Sequence, residues 1–180
     1  MGDRSRSIYP PQPVLPHPDI PHHPITCAVI TVSDTRTPDN DRSGQMIQQL
    51  LDEANHPILH YDLIRDEPDE IHHQVDLLCQ QPDLYAIILN GGTGIAPRDT
   101  TYDAIERLLD KTLPGFGELF RSLSYQEIGS RAMASRAIAG IRNNTLIFSL
   151  PGSTNAVVLA MQKLILPELA HLTHQINPRP

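Results

Sequence analysis

Apolar residues follow two alternating rhythms in the first half of this chain. Ile25 to Val32 is a β-prone run, and Met46, Ile47, Leu50, Leu51 and Ala54 recur at helical spacing within Ser43 to Asn55. Ile58 to Ile64 is again strand-like, and Pro68 to Gln80 again helical. Leu84 to Leu89 is a short apolar run without alternation, as expected of a parallel strand covered on both faces. Strand and helix taking turns in this way implies an α/β fold, a mainly parallel sheet with helices on both sides.

The second half changes character. Thr100 and Asp103 form a capping box for a helix running to about Leu109. Leu113 to Gly129 is helical in character and Arg131 to Ala137 continues it. Ile138 to Arg142 and Thr145 to Leu150 are short β-prone runs on either side of Asn143-Asn144, a pair that tolerates positive φ and suits a hairpin. A helix apolar nearly all round starts near Ser153 and is expected to stop before Pro167, with Leu169 to Ile176 as a last short helix.

The 180 residues fit one domain with a proper core. Seven of the 17 prolines lie within the first 24 residues, a composition that favours extended polyproline II and buries little. Residues 1–24 therefore read as a flexible proline-rich arm, and residues 25–180 as the single domain. The arm lacks the apolar core of a secretory signal and no run of apolar residues spans a bilayer, so the expected location is cytoplasmic, without a membrane partner. A net charge of −7 argues against a nucleic-acid partner, which requires a basic face. It leaves room for a small anionic substrate held by local arginines and backbone amides. Cys27 and Cys79 fit buried, reduced thiols.

Polar residues gather where the strands end. The first strand ends in Thr31-Val32-Ser33-Asp34, the second in Arg65-Asp66-Glu67, the third in Asn90-Gly91-Gly92-Thr93-Gly94, and Thr145 to Leu150 runs into Pro151-Gly152-Ser153. In a parallel sheet these ends share one edge, where open α/β sheets bind ligands. The glycine turn, with Asp99 behind it, suits an anion, because backbone N–H groups can approach a phosphate closely there. Equally, it can be no more than a tight strand-to-helix turn, and Ser153 can be a plain N-cap. No GxxxxGK[ST] and no strand-linked GxGxxG is present, which excludes a P-loop and argues against a dinucleotide site. HExxH is also missing, and the pairs His22-His23 and His72-His73 read as solvated side chains rather than zinc ligands. Asp66 and Asp99, carboxylates at adjacent strand ends beside a phosphate cradle, suit Mg²⁺.

Six ordered motifs carry a family likeness: TVSDTR at Thr31 to Arg36, DRSG at Asp41 to Gly44, GGTG followed by Arg98-Asp99, PGFGELFR at Pro114 to Arg121, SRA at Ser135 to Ala137, and TLIFSLPGS at Thr145 to Ser153. Together they resemble the MoaB/MogA family of molybdenum cofactor biosynthesis proteins, closest to the MoaB branch, over roughly Ile25 to Ile176. The resemblance implies a three-layer α/β/α sandwich with a mainly parallel sheet and a small hairpin, related to the gephyrin G domain and assembling as a homotrimer or homohexamer. It implies molybdopterin and ATP as substrates, Mg²⁺ as cofactor, adenylyl-molybdopterin and pyrophosphate as products, and a molybdenum-insertion partner protein. The family's two functional carboxylates match Asp66 and Asp99, as catalytic and metal-holding residues. Its pterin and nucleotide loops match Ser33, Asp34, Gly91, Gly92, Thr93, Gly94, Pro151, Gly152 and Ser153. Arg98, Arg121 and Arg136 are candidates for neutralising charge, or else ion pairs. Ala96-Pro97 stands where many members have Ser or Thr, which stiffens the loop and removes a hydroxyl. Two functions follow: a Mg²⁺-dependent molybdopterin adenylyltransferase, or a non-catalytic molybdopterin-binding or scaffold protein of the same pathway whose proline-rich arm docks a partner.

Overall fold

The computed structural model describes residues 23–177, so all but the last two residues of the proposed arm, and His22 with them, lie outside the described residues. Strands β1 (Cys27–Val32), β2 (Ile58–Ile64), β3 (Ala86–Gly91), β4 (Lys111–Thr112), β5 (Ile138–Arg142) and β6 (Thr145–Pro151) form one six-stranded sheet in the order β2-β1-β3-β6-β5-β4. β2, β1, β3 and β6 run parallel, while β5 and β4 add an antiparallel margin. The chain steps from β1 to β2 on one side and returns to β3 on the other, so the β1/β3 boundary is the topological switch point.

Alternation along β1 sends its side chains into two cores. Cys27 and Val29 join a cluster with Ile47, Leu50 and Leu51 of α1 (Arg42–Glu53), Phe116 and Phe120 of α4 (Pro114–Ile128), Val157 and Ala160 of α5 (Thr154–Ala160), and Leu169 of α6 (Leu166–Ile176). Ala28, Ile30 and Val32 join Ile71, Val75 and Leu78 of α2 (Pro68–Leu78) and Ala104, Ile105 and Leu108 of α3 (Thr101–Leu108). The expected α/β/α layering is present: β1, β3 and β6 are buried along nearly their whole length, while β2, at the sheet edge, is largely half-buried or exposed.

Three local expectations are corrected, and one short strand was not foreseen. The third strand lies two residues later than its apolar run, because Asn90 and Gly91 find ladder partners in Thr31 and Val32 on one side and Leu150 and Pro151 on the other. α4 closes at Gly129, whose φ of 62° ends the helix, and a 3₁₀ turn (Gly129–Ala134) replaces the expected continuation to Ala137. Two exposed polar residues, Lys111 and Thr112, form β4 against β5, a pairing with no apolar signature. Pro167 does not stop the last helix. The Leu166 N–H bonds the Met161 carbonyl, closing a wide π turn (Met161–Ile165) just before the proline, which lacks an N–H of its own.

The resulting run Thr154–Ile176 is 23 residues and, by length and composition, long and apolar enough to cross a membrane. Val157, Ala160, Met161, Ile165 and Leu169 are nonetheless buried in the core, so one face of this run packs against the rest of the fold. As expected, Asn143 and Asn144 take φ of 47° and 65° and close the β5–β6 hairpin.

Candidate functional site

The C-terminal ends of β1, β2, β3 and β6 open onto a cleft of about 400 Å³. Ser33, Asp34, Asp66, Gly91, Gly92, Thr93, Gly94, Asp99, Pro151 and Gly152 all line it, joined by Arg36 and Arg98. Four separate strand ends are thus one site at the switch point. Ser153 is not among the lining residues. Its hydroxyl accepts the Ala156 N–H at 3.3 Å and caps α5, so the plain N-cap role is the one it fills.

Each of the two candidate carboxylates faces one glycine of the turn. A Cβ on Gly92 would lie 1.6 Å from Asp66 Oδ2, and one on Gly94 would lie 2.5 Å from Asp99 Oδ2. The glycines are therefore required by side-chain approach, beyond any demand of the turn itself. Asp66 is 5% exposed, and its Oδ1 accepts the hydroxyls of Thr100 at 2.8 Å and Thr101 at 3.0 Å. Among the described residues its Oδ2 has only the Thr100 N–H, at 3.4 Å. Asp99 Oδ2 accepts the Ala96 N–H at 3.2 Å, leaving Oδ1 with no hydrogen-bond partner among the described residues. Each carboxylate has one anchored oxygen and one largely uncommitted oxygen. The capping box is overturned here: Thr100 makes no side-chain cap to α3, because its hydroxyl goes to Asp66, while Asp103 pairs with Arg136.

The turn itself has a polarity. The carbonyl of Gly91 accepts from the Thr93 N–H, that of Gly92 from the Thr101 N–H, and those of Thr93 and Gly94 from Arg136. The N–H groups of Gly92 and Gly94 have no partner among the described residues. The buried Thr93 hydroxyl is likewise unpartnered. Such a turn offers donors to an anion and withholds its acceptors.

Behind the cleft sits a further carboxylate that was not among the candidate site residues. Asp41, fully buried, caps α1 by accepting the Gly44 N–H at 3.1 Å, and also accepts the hydroxyls of Thr31 and Tyr61 (2.8 Å for Tyr61). Burial opposes its ionisation, but these donors outweigh burial and hold its pKa below the ordinary value. Asp41 pairs with Arg36 at 3.3 Å, and Arg36 also reaches Asn90 Oδ1 at 3.3 Å and the Gly152 carbonyl at 2.6 Å. This network ties β1, β3 and the β6 end together. DRSG is its local signal: an aspartate three residues before a glycine at a helix start.

Arg98 spans the rim, donating to Asp34 at 2.9 Å, to the Asp66 carbonyl at 2.8 Å and to Glu67 at 3.0 Å. Arg121 lies outside the cleft, in a separate cavity of about 200 Å³ with Tyr102 and Glu118. His72 is half-buried with Nε2 2.9 Å from the Ala104 carbonyl, rather than solvated, whereas His73 is exposed. Cys27 and Cys79 are free and buried, as expected. Among the described residues no group of three or more His, Cys, Asp or Glu could hold a metal ion. A cation here would need ligands from its substrate as well as from Asp66 and Asp99.

Residues 28–171 match the family described as a probable molybdopterin binding domain. Over 153 residues the chain is 52% identical to molybdenum cofactor biosynthesis protein B of Halalkalibacterium halodurans, covering 84% of this chain and 90% of that one. A crystal structure of a molybdenum cofactor biosynthesis protein B superposes with a TM-score of 0.85 at 47% identity, covering 87% and 98% of the two chains. The tungsten cofactor synthesizing protein MoaB of Pyrococcus furiosus superposes with a TM-score of 0.77 at 33% identity, covering 85% and 97%.

Proposed function

Because the chain belongs to the MoaB/MogA family of molybdenum cofactor biosynthesis proteins, we propose that within that pathway it adenylylates molybdopterin with ATP and Mg²⁺. The observation that carries this reading is the pair Asp66 and Asp99, each with one anchored and one largely uncommitted oxygen, beside a turn whose carbonyls are all engaged inside the protein. The terminal phosphate of molybdopterin attacks the α-phosphorus of ATP; a phosphorus–oxygen bond forms, the α–β anhydride bond breaks, and pyrophosphate leaves.

The chain's own part is positioning and charge neutralisation. The Gly92 and Gly94 amides take a phosphate, Ser33 and Asp34 with Pro151 and Gly152 bound the remaining substrate space, and Arg36 supplies a fixed positive charge. Three carboxylates line the cleft (Asp34, Asp66, Asp99) against two arginines (Arg36, Arg98), a balance that favours a polyphosphate accompanied by a counter-cation. Mg²⁺ arriving with ATP would be held by Asp66 and Asp99 and would neutralise charge building on the pyrophosphate.

The same reading includes a cytoplasmic homotrimer or homohexamer. Leu119, Tyr125 and Ile128 of α4 and Met133 beyond it are 50–82% exposed, an apolar surface suited to another subunit. Pyrophosphate release from purified molybdopterin, ATP and Mg²⁺ tests the proposal. Asp99→Asn should lower the rate by about 10²-fold or more while leaving the assembly intact. Wild-type turnover by this variant sinks the site assignment. Molybdopterin binding with neither Mg²⁺-dependent ATP affinity nor pyrophosphate release would make the protein the non-catalytic binder instead.

A further inference from the structure

Arg136 lies outside the cleft, in the segment between the 3₁₀ turn and β5, yet it reaches the turn 42 to 43 residues earlier in the chain. Its Nε donates to the Thr93 carbonyl at 2.9 Å and one terminal nitrogen donates to the Gly94 carbonyl at 2.6 Å. The remaining donors take the Asp103 carboxylate at 3.2 Å, and the guanidinium carbon stands 4.6 Å from the centre of the Tyr102 ring. Tyr102 and Asp103 belong to the first turn of α3, so one planar group fixes the glycine turn to the helix behind it.

We propose that Arg136 is the positioning residue of the anion-binding turn: by holding the Thr93 and Gly94 carbonyls it fixes the two peptide planes on either side of Gly94, and so keeps the Gly94 amide available to a substrate phosphate. The inference rests on the reading of that turn as the phosphate site. Two adjacent carbonyls left without donors would be free to rotate, and an acceptor aimed at a phosphate repels it. Lysine cannot replace the fork, because a single ammonium does not bridge two carbonyls and a carboxylate in one plane. Arg136 also neutralises Asp103, which would otherwise add negative charge beside the turn.

The test titrates pyrophosphate with Mg²⁺ calorimetrically into the full chain, its Arg136→Gln and Arg136→Lys variants, and Arg107→Gln as an exposed arginine on α3. The N–H order parameters of Gly94 and Ile95, which share peptide planes with the two held carbonyls, are measured in the free proteins. Arg136→Gln should weaken pyrophosphate binding at least tenfold and Arg136→Lys several-fold, with Arg107→Gln unchanged. Order parameters at Gly94 and Ile95 should fall from about 0.85 to below about 0.6, with β3 unaffected. Wild-type affinity and wild-type order parameters in Arg136→Gln overturn the inference, as does an equal loss in Arg107→Gln. Should Arg136→Gln not fold, Arg136→Lys carries the same comparison. Failure of the wild-type chain to bind pyrophosphate would instead count against the proposed function; the order parameters alone then decide on Arg136, a local fall supporting it and no change overturning it.

Discussion

The Thr100 hydroxyl donates to Asp66 Oδ1 at 2.8 Å, joining residues 34 positions apart. The threonine that local sequence assigns to helix capping thereby anchors the candidate catalytic carboxylate, and the start of α3 is tied to the end of β2. Thr100→Val keeps the side-chain shape and removes the donor. Urea denaturation should show a loss of about 1.5–3 kcal/mol, the usual contribution of a hydrogen bond to a charged group. Full stability would mean that the Thr101 hydroxyl alone suffices.

Gly92→Ala should be more damaging than an ordinary glycine-to-alanine change. Its methyl would overlap Asp66 Oδ2 at 1.6 Å, so the carboxylate must leave its threonine partners or the turn must shift. A destabilisation of about 1–3 kcal/mol is expected, with loss of adenylylation. Thermal unfolding and the pyrophosphate assay read the two effects separately. A fully active, stable Gly92→Ala protein would show that Asp66 does not need its observed position.

Asp41 sets an acid limit. Its folded-state pKa lies below the ordinary 3.8, so the stability it contributes is present above that value and is lost as pH falls through the lowered folded-state pKa. Denaturation curves between pH 5 and pH 2 should fall less steeply for Asp41→Asn than for the wild type (about 1.36 kcal/mol accompanies each unit of pKa difference). Asp41→Ala should cost about 3–5 kcal/mol at pH 7, because Arg36 and the buried hydroxyl donor of Thr31 lose their shared partner. Identical acid profiles for wild type and Asp41→Asn would remove Asp41 from this role.

The thiols should be silent. Burial pushes Cys27 up to about 12 and Cys79 up to about 11, so neither is a thiolate near neutral pH. An aromatic disulfide reagent at pH 8 should leave the folded protein unmodified and titrate two thiols per chain after denaturation. Rapid labelling of the native protein would contradict the burial of both.

Much of the fold was legible because apolar periodicity reports burial directly. β1 and β3 are apolar on both faces because helices cover both faces, and Ile47, Leu50 and Leu51 recur at the helical period because one side of α1 meets the sheet. Asp66, Asp99 and the glycine turn were legible for a different reason, since strand ends, glycines and carboxylates are local signals that topology later brings to one edge. What escaped local reading depends on distant partners. Nothing near Thr100 says that its hydroxyl goes to Asp66 instead of its own helix, and nothing near Arg136 points to Thr93 and Gly94. The π turn that carries the last helix past Pro167, and the two-residue β4, also belong to tertiary packing.

The sequence by itself determined the α/β alternation, the polar strand ends and the family, because each is written in neighbouring residues. Only the tertiary structure decided which oxygens of Asp66 and Asp99 remain uncommitted, that Asp41 and Arg36 brace the cleft from behind, and that Arg136 takes the turn's carbonyls. Those outcomes are competitions among donors and acceptors far apart in the chain, and a hydrogen bond is settled by which partner the fold brings within about 3 Å.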